Sequence, residues 1–196
     1  MPNTPPNTPP PPGVAESLST RALEIVTVAR ELLESEGADA LTMRRLADAL
    51  GIRAPSLYKH LPHKTALETA IIIDGFEQAA SAFEAATHDA ADPMGAFVEA
   101  YRTFATTHPH VYRLMTERPL PRESLPPGLE ARTAAPLLRA TGSPARARAA
   151  WAFIHGMIML ELNGRFPADG LTELAWHSGL AAFCTSLRSG PTRPRP

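Results

Sequence analysis

The sequence predicts an all-α fold, a small three-helix unit followed by a larger helical domain, and three observations carry that prediction. Apolar residues recur at helical spacing in one segment after another across the chain. No stretch of strand length shows alternating β-branched residues. Each periodic segment is also bounded by helix punctuation: a Ser, Thr or Asp cap, a proline suited to a first turn, or a glycine just past the end. A chain of 196 residues is long enough for one compact domain with something smaller beside it, or for two small domains sharing a helix.

Taken in order, residues 1–16 open with MPNTPPNTPPPPG, whose repeated NTPP favours an extended, solvated tail because proline lacks the amide donor that regular structure needs. Such a segment is either a loose terminus or a docking strip for a proline-binding partner. Residues 189–196, with PTRPRP, read as a second frayed end. The first helix carries Ala22, Ile25, Val26, Ala29, Leu32 and Leu33 on one face and ends at Gly37. A short second helix follows Thr42 as its N-cap, with Met43, Leu46, Ala47 and Leu50 on one face and Gly51 past its end. A third begins near Pro55 and stops at Leu61-Pro62. A fourth runs from about Lys64 into the eighties. Asp92-Pro93 opens the next, His108-Pro109 breaks it, and a short piece covers His110 to Glu117. A proline-rich loop leads to a helix from Gly128 to Thr141, Ser143-Pro144 opens a long one to about Asn163, and Leu171 to Leu187 closes the fold.

Composition narrows the function. The chain is 44% hydrophobic and 20% charged with a formal charge of −1, which excludes a wholly disordered chain and a uniformly basic nucleic-acid coat protein. The lone Cys184 can form neither an internal disulfide nor a cysteine zinc site. No signal peptide is readable, and the longest apolar stretch, Ala149 to Leu162, is too short to span a bilayer, so a cytoplasmic protein without membrane contact is expected.

Residues 41–67, LTMRRLADALGIRAPSLYKHLPHKTAL, carry the densest pattern. Two short helices crossing steeply through a tight turn need a small residue at the crossing, a turn residue able to take positive φ, and an apolar anchor on the second helix. Ala47, Gly51 and Leu57 supply these, with Leu46, Leu50, Ile52 and Leu61 completing the core. This is a helix-turn-helix, whose second helix enters the major groove of double-stranded DNA. Charge agrees locally: Arg44, Arg45, Arg53, Lys59 and Lys64 against Asp48 give +4 over residues 42–64 and leave −5 for the rest, and both lysines of the chain lie here.

This stretch, from Arg21 to Phe76, resembles the DNA-binding domain of the TetR family of bacterial transcriptional regulators, through LTMRRLADALGI and the run Leu57-Tyr58-x-His60-Leu61 followed by Lys64. Residues 150–166, AWAFIHGMIMLELNGRF, are similar to the Trp-x3-His-Gly segment of one C-terminal subgroup. The resemblance implies a DNA-binding domain over 17–64 and an effector-binding and dimerisation domain over 65–188, and DNA contacts by Thr42, Arg44, Arg53, Pro55, Ser56, Tyr58, Lys59, His60 and Lys64. Arginine is the usual reader of guanine, hydroxyls and lysine bind phosphate, and Pro55 offers an apolar surface to a thymine methyl. His60 serves either phosphate or a local hydrogen bond. Ala54 departs from the family, where many relatives carry a polar base-reading residue.

The same resemblance implies a homodimeric repressor released from its operator by a small, largely hydrophobic effector. Phe97, Tyr101, Phe104, Tyr112, Met115, Trp151, His155 and Met159 would line the effector pocket, although such a stripe taken alone is more often core than cavity. The helix from Ala149 to Leu162 is apolar nearly all round, so it must be covered on two sides. Ile154, Ile158 and Leu162, with Leu180, Phe183, Cys184 and Leu187 of the final helix, are the expected dimer interface. Paired half-sites on DNA require such pairing. Seven histidines invite a metal or acid-base search, but no Gly-rich phosphate loop, serine elbow or Cys/His pair accompanies them, so no enzyme activity, cofactor or metal is expected. A helical protein-binding adaptor without DNA readout and, ranked last, a small helical enzyme are the alternatives.

Overall fold

The computed structural model describes residues 19–188, with side chains through Phe183. The two expected tails, and the side chains of Cys184 and Leu187, lie outside the described residues. Within them the chain is all-α, with no strand.

Helix α1 (Thr20–Glu36) starts where the Ser19 hydroxyl accepts the Ala22 amide at 3.2 Å and stops at Gly37, whose φ of 83° a side chain would resist. Its six predicted apolar positions are all buried. Helix α2 (Met43–Ala49) is capped by Thr42, whose hydroxyl accepts the Arg45 amide at 3.1 Å. Gly51, at φ 64°, then turns the chain into α3 (Ala54–Tyr58), and the Ile52 amide donates back to Ala47 at 3.0 Å. Leu46 and Leu57 are fully buried beneath this turn beside Ala47 and Leu61.

Helix α4 (Lys64–Thr87) has 24 residues, about 36 Å at 1.5 Å per residue, and connects this unit to the rest of the molecule. Its cap is His63, whose Nδ1 accepts the Ala66 amide at 3.0 Å. Helices α5 (Pro93–Thr107), α6 (Pro109–Thr116), α7 (Leu129–Thr141), α8 (Pro144–Leu162) and α9 (Thr172–Arg188) complete the fold, with one 3₁₀ turn at Arg122–Ser124. Helices α5, α6 and α7 pack on α4, α8 lies against α5 and α7, and α9 lies on α8. The centre is aromatic: the Phe83 ring sits 5.0 Å from Phe97, 5.2 Å from Tyr101 and 6.3 Å from Phe104.

Two contacts lock α1 to the bundle, and a third joins α6 to α4. The Glu34 carboxylate of α1 accepts the amides of His110 and Val111 at 3.2 and 2.8 Å, satisfying donors that the first turn of α6 leaves open. Arg30 donates to Asp74 of α4 at 2.8 Å. Gly75 lets α6 approach α4 so closely that a Cβ there would stand 2.7 Å from Met115 Sδ and 3.0 Å from Val111 Cγ1. On the far side Arg102 of α5 holds both Glu161 and Glu173 at 2.6 Å and lies 5.3 Å over the Trp176 ring, which fixes α8 and α9.

Candidate nucleic-acid interface and ligand cavity

The helix-turn-helix core consumes Met43, Leu46, Ala47, Leu57 and Leu61, so the positions between them point outward. Thr42, Arg44, Arg53, Pro55, Ser56, Tyr58, Lys59 and His60 are all exposed, and Lys64 is half-buried at the first turn of α4. Tyr58 keeps 47% of its surface in solvent, an aromatic side chain left uncovered on a cationic face. The five cations are not equivalent. Arg45 donates to Glu36 through Nε at 3.0 Å and through a second guanidinium nitrogen, and this pairing holds the Glu36 carboxyl below the usual range and the Arg45 guanidinium above it. Lys64 Nζ lies 3.8 Å from Glu68, a looser pairing. Arg44, Arg53 and Lys59 have no ion pair among the described residues, so they are the charges most readily given to phosphate.

At the other end of α4 the bundle encloses a cavity of about 680 Å³. Phe76, Ala79 and Phe83 of α4, Phe97, Tyr101 and Phe104 of α5, Tyr112 and Met115 of α6, Leu137 of α7, and Trp151 and His155 of α8 form its apolar walls. A polar ladder crosses it. The Trp151 indole donates to the Tyr101 hydroxyl at 3.0 Å, the Tyr101 and Tyr112 rings meet edge to face at 5.9 Å, and the Tyr112 hydroxyl lies 2.6 Å from His155 Nδ1. Burial pushes both tyrosines above their ordinary pKa and His155 below its own, so all three are neutral near pH 7. In one tautomer of neutral His155, Nδ1 accepts the Tyr112 proton; in the other, Nδ1–H donates to the Tyr112 oxygen. The ladder thus presents neutral donors and acceptors to whatever occupies the space.

Comparison with known proteins covers both halves of the chain. Residues 25–71 match the model of bacterial regulatory proteins of the tetR family, and residues 94–183 match that of a tetracyclin repressor-like C-terminal domain. The uncharacterized HTH-type transcriptional regulator Rv0681 of Mycobacterium tuberculosis is 31% identical over 153 residues, 71% of this chain and 69% of the relative. The chain belongs to the TetR family. Among solved structures, SCO4313, described as a regulatory protein, matches with a TM-score of 0.67 at 25% identity over 87% of this chain and 96% of that one. Two more distant structures share the TetR fold: the Streptomyces coelicolor protein ActR in complex with (S)-DNPA, with a TM-score of 0.63 at 20% identity over 87% of this chain and 98% of that one, and BioQ with its natural double-stranded DNA operator, with a TM-score of 0.56 at 21% identity over 86% and 98%.

In this TetR-family regulator the structure brings seven of the eight expected pocket residues around one cavity. Met159 is the exception: it packs against the core and does not line the space. The expected dimer stripe also needs correction. Ile154 and Ile158 are 0% exposed, turned into the protomer's own core, and cannot face a partner. Leu162, Leu180 and Phe183 are partly buried against that same core. The exposed face of α8 and its neighbour instead carries Ala149, Ala152 and Leu160, with Leu171, Leu174 and Ala175 at the start of α9. Sequence reasoning also missed the cavity wall from α7, where the small Thr133 and Ala134 stand beside Leu137 and Leu138, and the arginines of the proline-rich loop, which follows no helical period. Among the described residues, no helix is long and apolar enough to cross a membrane, and no three metal-ligating side chains converge.

Proposed function

We propose that this TetR-family DNA-binding regulator is a homodimeric repressor, held on operator DNA by the exposed α2–α3 face and released when a small, largely hydrophobic effector fills the cavity. The observation that carries this reading is that one helix, α4, bears Lys64 of the cationic face at its first turn and the cavity wall Phe76, Ala79 and Phe83 further along. The same reading divides the chain into a DNA-binding part over 17–64 and an effector-binding and dimerisation part over 65–188. BioQ with its operator and ActR with (S)-DNPA, which share the fold, support the two halves of the proposal. Thr42, Ser56 and Lys64 are assigned to phosphate. Arg44, Arg53 and Lys59 serve phosphate and the base edges beside it, Tyr58 reaches toward bases, and Pro55 and His60 fill the contact surface. The reading makes the protein a binding protein and not an enzyme.

Two recognition helices must stand about one turn of DNA apart, which requires a two-fold pair. The exposed apolar face of Ala149, Ala152, Leu160, Leu171 and Leu174 is the surface we assign to that pair. The experiment is a fluorescence-anisotropy titration with DNA flanking the gene, beside sedimentation of the same samples. Wild type is expected to bind as a dimer, and Leu160→Asp with Leu174→Asp to sediment as a folded monomer with little DNA affinity. A variant that stays dimeric, or a monomer that binds as tightly as wild type, refutes the assignment.

A further inference from the structure

The cavity is apolar inside but cationic at its edge. Arg118, Arg122 and Arg148 line it, against Glu130 as the one carboxylate among its lining residues. Arg122 is committed to Glu130 by contacts of 3.1 to 3.3 Å. Arg118 donates to Glu68 of α4 at 2.9 Å. Arg148, exposed on the first turns of α8 one turn before Trp151, has no ion pair among the described residues. An uncharged ligand would leave these guanidinium groups as they are. A carboxylate, sulfonate or phosphate matches their forked donors, and the bonds are strengthened by the apolar chamber behind them.

Glu68 gives this edge a route to the DNA face. One of its oxygens accepts from Arg118 at 2.9 Å, while the other lies 3.8 Å from Lys64 Nζ, one helical turn away. Arg118 thereby occupies Glu68 and leaves Lys64 loosely held. We propose that the cavity takes an organic anion, an apolar body with one acidic head received by Arg118, Arg122 and Arg148, and that the head's hold on Arg118 turns Glu68 onto Lys64. Glu68 then competes with phosphate for that lysine and adds an uncompensated negative charge beside the DNA. The converse follows by linkage: phosphate holding Lys64 leaves Glu68 to Arg118, so DNA lowers the affinity for the anion by the same factor. The inference rests on reading the cavity as the effector site.

Two matched probes separate the inference from that reading. Anilinonaphthalene sulfonate and its uncharged parent N-phenylnaphthylamine share one aromatic body and differ by the acid group, and both fluoresce when bound in apolar surroundings. The sulfonate is expected to bind about tenfold or more tightly at low salt, the worth of a charge-assisted hydrogen bond. Ala147→Trp or Ala134→Trp, each narrowing the cavity, should remove both probes. Arg148→Gln and Arg118→Gln should remove the preference and spare the neutral probe. Equal binding of the two probes inside the cavity overturns the anion and leaves the cavity reading standing; probes indifferent to both tryptophans overturn the two together.

The relay is tested without any ligand, on a short random-sequence duplex at low salt. Arg118→Gln should weaken binding several-fold, and adding Glu68→Gln should restore it to wild type or better. An equal loss from Arg118→Gln in both backgrounds, or no loss at all, overturns the relay.

Discussion

The salt dependence of DNA binding can be worked out from the ion pairs. Each protomer offers Arg44, Arg53 and Lys59 unpaired and Lys64 loosely held, while Arg45 is tied to Glu36. Four available cations make eight in a dimer. At about 0.9 counterion per phosphate contact, the slope of log K against log salt should be about −7, so affinity falls about 10⁴-fold between 50 and 200 mM salt. Counting all five cations of residues 42–64 would give about −9 and a loss above 10⁵-fold. The perturbation is Glu36→Gln, which frees Arg45 and should steepen the slope by about 2 units, whereas Arg118→Gln, by giving Lys64 to Glu68, should flatten it by about the same amount. Anisotropy of labelled promoter DNA across a potassium chloride series reads all three slopes. A wild-type slope near −9 that Glu36→Gln leaves unchanged would show Arg45 leaving Glu36 for phosphate. A slope near zero, or one untouched by Arg44→Gln and Lys59→Gln, would remove DNA from this face altogether.

Further outcomes follow from the packing. Gly75→Ala gains about 1 kcal/mol of helix propensity but forces its Cβ against Met115 and the stiff Val111, an overpacking cost of about 1 to 3 kcal/mol; a lowered urea midpoint is expected, with Met115 displaced into the cavity and probe binding reduced. Glu34→Ala should cost about 2 kcal/mol and accelerate hydrogen exchange at the His110 and Val111 amides, while exchange at α9 stays as it is. Burial lowers the pKa of His155 and of His108, so the unfolded chain binds more protons than the folded one between those lowered values and about 6.5; stability should fall on acidification from pH 7 toward 5, by less than about 1.4 kcal/mol per unit for each group, and His155→Asn should flatten that fall in urea denaturation.

Helix existence and ends were legible in the sequence because their causes are local. Thr42, Asp92-Pro93, Ser143-Pro144, Gly37 and Gly51 each act within one turn, and every one stands where the pattern places it. His63 escaped as a cap because imidazole is not among the usual capping side chains, and its usual chemistry points elsewhere. The fate of α8 was illegible for a different reason. A helix apolar all round says that two sides are covered, but only the packing of α5 and α9, fixed by Arg102 between Glu161 and Glu173, decides that Ile154 and Ile158 go inward. At the DNA face, exposure followed from the spacing of the core residues, whereas effective charge did not. Glu36 and Arg45 are nine residues apart across a loop, and no period links them.

These long-range contacts also bear on how the proposed release would be transmitted. Met115 lines the cavity and lies against Gly75, and Glu34 holds the first turn of the same helix, so α6 cannot move without pulling on both α1 and α4. Gly75 stands eleven residues from Lys64, about 16 Å along the axis. A tilt of about 5° at that crossing carries the first turn of α4 about 1.4 Å, several times the latitude of a good hydrogen bond. In a dimer the two displacements add, and the recognition helices must keep a separation set by the DNA. Glycine at position 75 therefore has a consequence beyond packing. Because no side chain cushions the crossing, a ligand that shifts Met115 acts on the α4 backbone itself, and a cavity of moderate size suffices to disturb the DNA face.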